Sequence, residues 1–291
     1  MTKRKSWINE LSWTAPSFLW LVLFFVIPTV IVFLISFKPT DAFGGIEDGW
    51  TATTYFQLVN PYYFVLIWRT IWLSWVTTVI CLAIALPVGY RLALSSAKVR
   101  QITLLFIIVP FWSSFLIRIF AWKSFLHPEG TFKQILIWFH LISPETPLLY
   151  NSFSVLLVMV YTYLPFAIIP VYAAAAKFNF QLMEAAMDLG ATRLFSFYKI
   201  FIPGIQKGLF TAFIMVFVPA IGAYVIPDLV GGTQSEMIGN KIAQRTLVDR
   251  NLPLASALST LVGFAILLPM LAMVWMQSRG KVADLEARAK E

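Results

Sequence analysis

Six apolar runs decide what this chain can fold into. A hydrocarbon core of about 30 Å takes about 20 apolar residues to cross as a helix, and the sequence offers such runs at residues 16–37, 70–94, 102–120, 153–174, 209–226 and 254–276. The composition agrees, since 59% of the residues are hydrophobic and only 12% charged, against roughly 45–50% and 25% in soluble domains. Mean hydropathy is +0.78. The expected fold is an all-α integral membrane protein, with six transmembrane helices in a single transmembrane domain over residues 1–291.

Basic residues orient the helices. If the N-terminus is inside, the inner segments carry Lys3, Arg4 and Lys5, then Arg91, Lys98 and Arg100, then Lys177, Arg193, Lys199 and Lys207, then Arg279, Lys281, Arg288 and Lys290. The outer segments mix their bases with acids such as Asp41, Glu47, Asp48, Glu129, Glu145, Asp228, Glu236 and Asp249. The positive-inside rule therefore puts both termini in the cytoplasm. The net charge of +8 reports this orientation, and no nucleic-acid partner is needed to explain it. The first run is longer than the 7–15 residues of a signal-peptide core and lacks a small-x-small cleavage site, so it is expected to remain as a helix. Cys81, the single cysteine, lies in the second run and excludes an intrachain disulfide.

Several outer features have structural readings. Phe132, Ile135, Leu136, Phe139 and Ile142 form one helical stripe in a run too short to span, which is expected to lie along the outer interface. Trp68, Trp72 and Trp75 share one face at the outer end of the second helix, as in an aromatic belt. Each span holds proline: Pro16 and Pro28, Pro87, Pro110, Pro165 and Pro170, Pro219, and Pro269. Proline inside a helix removes a backbone bond and favours a kink. Arg118 falls about 24 Å along a straight third helix from Ile102, at about 1.5 Å per residue, close enough to reach the outer headgroups.

Missing chemistry narrows the function. The sequence has no G-x-x-x-x-G-K-[ST] phosphate loop, no H-E-x-x-H helix, no G-x-S-x-G elbow and no Cys/His cluster. His127 and His140 are two ligands at most, and no metal site is expected. The centres of the spans carry no ionisable residue of the kind an ion-coupled carrier keeps in mid-membrane. An ion-coupled secondary transporter or a membrane enzyme is thus the weaker reading. The expected reading is a chain that moves a solute with energy taken from elsewhere.

Residues 177–207, between the fourth and fifth spans, supply the connection. Within them Glu184-Ala185-Ala186, Gly190, Ile200, Ile202 and Pro203 predict a helix, a glycine turn and a second short helix ending where the membrane helix resumes. Spacing and residue types resemble the Glu-Ala-Ala…Gly…Ile-x-Leu-Pro signature of permease subunits of ATP-binding-cassette importers, with Ile202 in place of the leucine. That resemblance implies a coupling loop docked in a cleft of a separate ATPase. It also implies no cofactor in this chain, ATP and Mg being bound by the ATPase.

Further stretches resemble the spermidine/putrescine branch of that family: Pro110-Phe111-Trp112-Ser113, Leu164-Pro165-Phe166, and Val225-Ile226-Pro227-Asp228-Leu229-Val230-Gly231-Gly232 with Met237-Ile238-Gly239-Asn240. The branch implies a polyamine cargo. A polycation needs carboxylates and aromatic faces, and Asp228 with Tyr224, Trp112, Tyr161 and Tyr163 are the candidates for its path. Gly231, Gly232, Gly239 and Asn240 are candidates for a binding-protein docking or gating segment. The expected partners are a homologous permease in a heterodimer, two ATP-binding subunits and an extracytoplasmic solute-binding protein, set in the lipid of a bacterial inner membrane. An import permease for ferric iron, an opine or an oxyanion would have the same fold and a different ligand.

Overall fold

The computed structural model describes residues 14–41 and 44–268. Among these, the regular elements are helices, with one isolated bridge between Thr40 and Ile46. In chain order, α1 is Thr14–Ile35, α2 Thr53–Gln57, α3 Pro61–Leu94, α4 Ala97–Ile108, α5 Phe115–Phe125, α6 Thr131–Trp138, α7 Ser152–Ala175 and α8 Gln181–Asp188. There follow α9 (Arg193–Gly204), α10 (Gln206–Ile221), α11 (Val225–Val230), α12 (Ile238–Leu247) and α13 (Leu252–Leu268).

Three of these helices, α1, α3 and α7, are long and apolar enough to cross a membrane, and two bent pairs raise the candidates to five. The sixth expected span begins in α13, but residues 269–276, with Pro269, lie outside the described residues. So do the basic terminal groups Lys3, Arg4, Lys5, Arg279, Lys281, Arg288 and Lys290.

The structure changes the expected spans in three places. The third, 102–120, is not one straight helix: α4 ends in a 3-10 turn over Val109–Trp112, and α5 leaves it at 93°. Pro110 interrupts the α-helical bonds, and Ser113 and Ser114 take extended ψ angles of 152° and 137°, with the Ser113 hydroxyl donating to the Pro110 carbonyl at 2.7 Å. Arg118 therefore sits on the far limb of a bend, with its guanidinium 4.7 Å from the Phe111 ring centroid, and not at the end of a straight rod. The fifth span, 209–226, ends as α10 at Ile221, and a break at Gly222–Tyr224 separates it from α11. The second starts earlier than expected, at Pro61.

Proline has a recurrent local effect. The π-helical turns Val22–Val26 and Phe197–Phe201 each end two residues before a proline, Pro28 and Pro203. Neither proline has an N–H for the carbonyl four residues back, and the wide turn moves the preceding bond to a five-residue reach, Ile27 to Val22 and Ile202 to Phe197.

The chain divides into two compact units, one of residues 1–63 with 241–291 and one of Phe64–Asn240. In the first, Phe33 of α1 meets Phe264 of α13 edge to face at 6.0 Å. Its outer segments are tied by Ser36 to Tyr55 at 2.7 Å, by Thr40 donating to Asn251 at 3.2 Å, and by the Arg245–Asp249 ion pair at 2.7 Å. Arg245 also donates to the Tyr63 hydroxyl at 3.4 Å.

In the second unit α7 is the central post. Val155, Val158, Met159, Ala167, Val171 and Ala175 along it are buried, and α10 packs against it through Ala212, Val216 and Ala220. Small residues let the backbones close, as lipid-embedded helices require. A Cβ on Gly208 of α10 would fall inside the Ala174 methyl and 3.1 Å from the Pro170 carbonyl, while one on Gly89 of α3 would lie 2.8 Å from Val171 Cγ1. Replacing Gly208 by Leu is expected to force α10 off α7 at a cost of about 1–3 kcal/mol, lowering the melting temperature of the detergent-purified protein, while Gly263→Leu, whose surroundings are open, leaves it unchanged.

Candidate functional site

The segment from Lys177 to Lys207 folds as two short helices around a glycine. Phe180 precedes α8, Gly190 closes it with φ +90°, and the Thr192 hydroxyl caps α9 by accepting from the Phe195 N–H at 3.2 Å. At that φ a side chain is strained although a Cβ would meet nothing within 4 Å, so the glycine is needed for its backbone alone. Glu184 and Ala185 are exposed and Ala186 is half-buried, while Met183 turns inward. Ile200 and Ile202 are half-buried against the core, and Pro203 is exposed. The helix runs past Pro203 to Gly204, and the 72° bend into α10 falls at Ile205. Apolar side chains nevertheless project outward: Leu189 is 90% exposed and Leu194 71%, with Leu182, Phe195 and Tyr198 also exposed.

An aromatic cluster fastens this segment to the helix ends, and its residues are not among the motif positions from Glu184 to Pro203. Phe201, fully buried, lies 5.3 Å from Phe197 and 6.1 Å from Phe180 in near-parallel stacks. Phe178 stands perpendicular to Phe201 at 5.3 Å, and Tyr90 of α3 perpendicular at 5.1 Å. Each such pair adds about 0.5–1.5 kcal/mol beyond area burial. The sequence signal was the pairs Phe178/Phe180 and Phe197/Phe201 flanking the motif, which by composition alone look like ordinary core.

The five candidates for a substrate path separate. Tyr163 and Tyr224 line one cavity of about 200 Å³ with Phe115, Pro219, Gly222 and Ile226, at the break after α10. Tyr163 is buried and its hydroxyl donates to the Pro219 carbonyl at 3.3 Å. Asp228 is exposed on α11, Trp112 is 79% exposed, and Tyr161 packs against Trp122 at 5.3 Å; none of these three lines that cavity.

Gly231, Gly232, Gly239 and Asn240 hold one region together. A Cβ on Gly231 would lie 2.5 Å from the Pro227 carbonyl, one on Gly239 2.6 Å from that of Ala223, and one on Gly232 would overlap the Tyr150 carbonyl. The Asn240 amide donates to the Tyr224 carbonyl at 2.9 Å and its oxygen accepts from the Met237 N–H at 3.1 Å. The Val230 carbonyl accepts from both the Tyr150 N–H at 2.9 Å and the Ser154 hydroxyl at 2.7 Å. The bonds to Val230 give its carbonyl, at the end of the short α11, partners from outside that helix.

Comparison with known proteins gives the family and the fold. The family model for the binding-protein-dependent transport system inner membrane component matches residues 85–279. The spermidine/putrescine transport system permease protein PotB of Escherichia coli (strain K12) is 34% identical over 269 residues, 92% of this chain and 98% of that protein. PotB of Haemophilus influenzae is 33% identical over 261 residues, covering 90% of this chain and 91% of that one. In fold, the chain is similar to one in a bacterial ABC transporter involved in the import of the acidic polysaccharide alginate, with a TM-score of 0.69 at 17% identity over 95% of this chain and 96% of that one. The chain belongs to the family of binding-protein-dependent transport system inner membrane components: it is an ABC-transporter permease of the inner membrane, a translocation subunit and not an enzyme, in a family that typically binds no cofactor and works with an ATPase and a periplasmic binding protein.

Proposed function

We propose that the chain is one of two homologous permeases in an ATP-driven importer of polyamines such as spermidine and putrescine. The cargo rests on the similarity to spermidine/putrescine permeases along nine-tenths of the chain. Six helices with both termini in the cytoplasm place residues 177–207 on the inner face, where two ATPase subunits hold ATP and Mg. The observation that carries the mechanism is the coupling segment itself: two structured helices around Gly190 that leave Leu189 and Leu194 bare. Glu184, Ala185 and Ala186 enter the ATPase cleft, where the alanines permit close approach and Glu184 meets a basic group.

The cycle follows from this arrangement. A binding protein docks on the outer side, near the Gly231–Asn240 segment, and delivers the polyamine. ATP binding closes the ATPase pair, the coupling segments move inward, and the two permeases rock about a central site so that the path opens to one face at a time. Asp228 offers the ammonium groups a carboxylate, and Tyr224, Tyr163, Tyr161 and Trp112 offer aromatic faces. The remaining carboxylates come from the second permease.

Two outcomes test the reading. Leu189→Asp with Leu194→Asp puts charges into the docking face, and the ATPase is expected no longer to co-purify while the permease still reaches the membrane; retention of the ATPase would place docking elsewhere. Asp228→Asn is expected to raise the KM for spermidine uptake about tenfold, the loss of about 1.4 kcal/mol, with putrescine competing for wild-type uptake and sulfate not competing. An unchanged KM would remove Asp228 from the path.

A further inference from the structure

Docking an ATPase on α8 does nothing unless the force leaves the segment through stiff connections. Two of these are covalent, because the chain runs from α7 into the segment through residues 176–180 and out of it into α10 through Ile205. The third is not. The inner end of α3 is far away in sequence and reaches the segment through Tyr90.

The ring geometry at Tyr90 resists sliding. Phe180, Phe201 and Phe197 form a stack with interplanar angles of 21° and 26°. Tyr90 stands across that stack at 67°, 79° and 86° to the three rings, at centroid distances of 5.9, 5.1 and 5.3 Å. Phe178 is also perpendicular, at 82° to Phe180 and 88° to Phe201. Phe201 touches all four others and is fully buried, so parting the rings breaks close packing. Behind it Gly204 is tight, since a Cβ there would overlap the Phe178 ring. The π-helical turn that carries Phe197 and Phe201 is a wide turn of a kind found often at functional positions.

We propose that Phe201 is a positioning residue for transport, gripping Tyr90 so that the inner end of α3 moves with the coupling segment as one body. The inference rests on the docking reading above and adds the route by which motion reaches a helix the segment is not bonded to. A cluster that merely filled space would lose stability when cut. A mechanical link loses the ratio of transport to ATP hydrolysis instead.

The test uses the complete transporter in proteoliposomes, with its second permease, ATPase and binding protein. Phe201→Leu keeps apolar bulk and removes the ring; the ATPase should stay bound and hydrolyse ATP within about twofold of wild type, while labelled spermidine uptake falls about tenfold. Tyr90→Leu should do the same, Tyr90→Phe should keep the wild-type ratio, and the double leucine variant should be no worse than either single one. Uptake and hydrolysis falling in equal proportion, additive effects in the double variant, or release of the ATPase by Phe201→Leu would each overturn the positioning role. Failure of the docking reading shows up separately, as unmutated transporter that retains no ATPase or moves no spermidine.

Discussion

Lipid cannot hydrogen-bond to a peptide, and this constraint shapes the chain wherever a helix breaks. The bend after α4 brings the Ser113 hydroxyl onto the Pro110 carbonyl. Near the end of α10 the Tyr163 hydroxyl donates to the Pro219 carbonyl, and at the gap before α11 the side-chain amide of Asn240 donates to the Tyr224 carbonyl. Val230, near the end of α11, hands its carbonyl to Tyr150 and Ser154. At these breaks the carbonyls of Pro110, Tyr224 and Val230 thus find partners in side chains. The cavity beside Tyr163 and Tyr224 sits at one such break.

Around these breaks, close packing sets what moves together. The α7 post accepts α10 at Gly208 and α3 at Gly89, where only a hydrogen fits. The aromatic cluster on Phe201 joins Tyr90 of α3 and Phe178, just beyond α7, to Phe197 of α9. The segment of α8 and α9 can therefore be both rigidly held from within and bare outside. Met183 and Phe201 face inward; Leu189 and Leu194 face outward.

Class and much of the helix layout were legible because length and apolarity in lipid leave few alternatives. The expected 153–174 span corresponds to α7 within a residue at each end. The two short helices around Gly190 were legible too, since Gly190 has a backbone only glycine adopts cheaply. The 93° bend was not, because Pro110 reads like the other span prolines, and Pro87, Pro165 and Pro170 lie inside continuous helices. What differs is the Ser113-Ser114 pair after it, whose side chains compete with helix bonding. The glycines at 231, 232 and 239 drew attention as a motif, and their crowding appears only in three dimensions. Phe201 was invisible for the opposite reason: among 26 phenylalanines nothing in one dimension sets it apart.

The central claim is that this permease moves polyamines with energy taken from a separate ATPase. The direct measurement is spermidine uptake into proteoliposomes holding the permease pair and ATPase, with binding protein outside and ATP either enclosed or omitted. The account predicts uptake only when both ATP and binding protein are present, and none from an imposed proton or sodium gradient. Uptake driven by a gradient in the absence of ATP would contradict it.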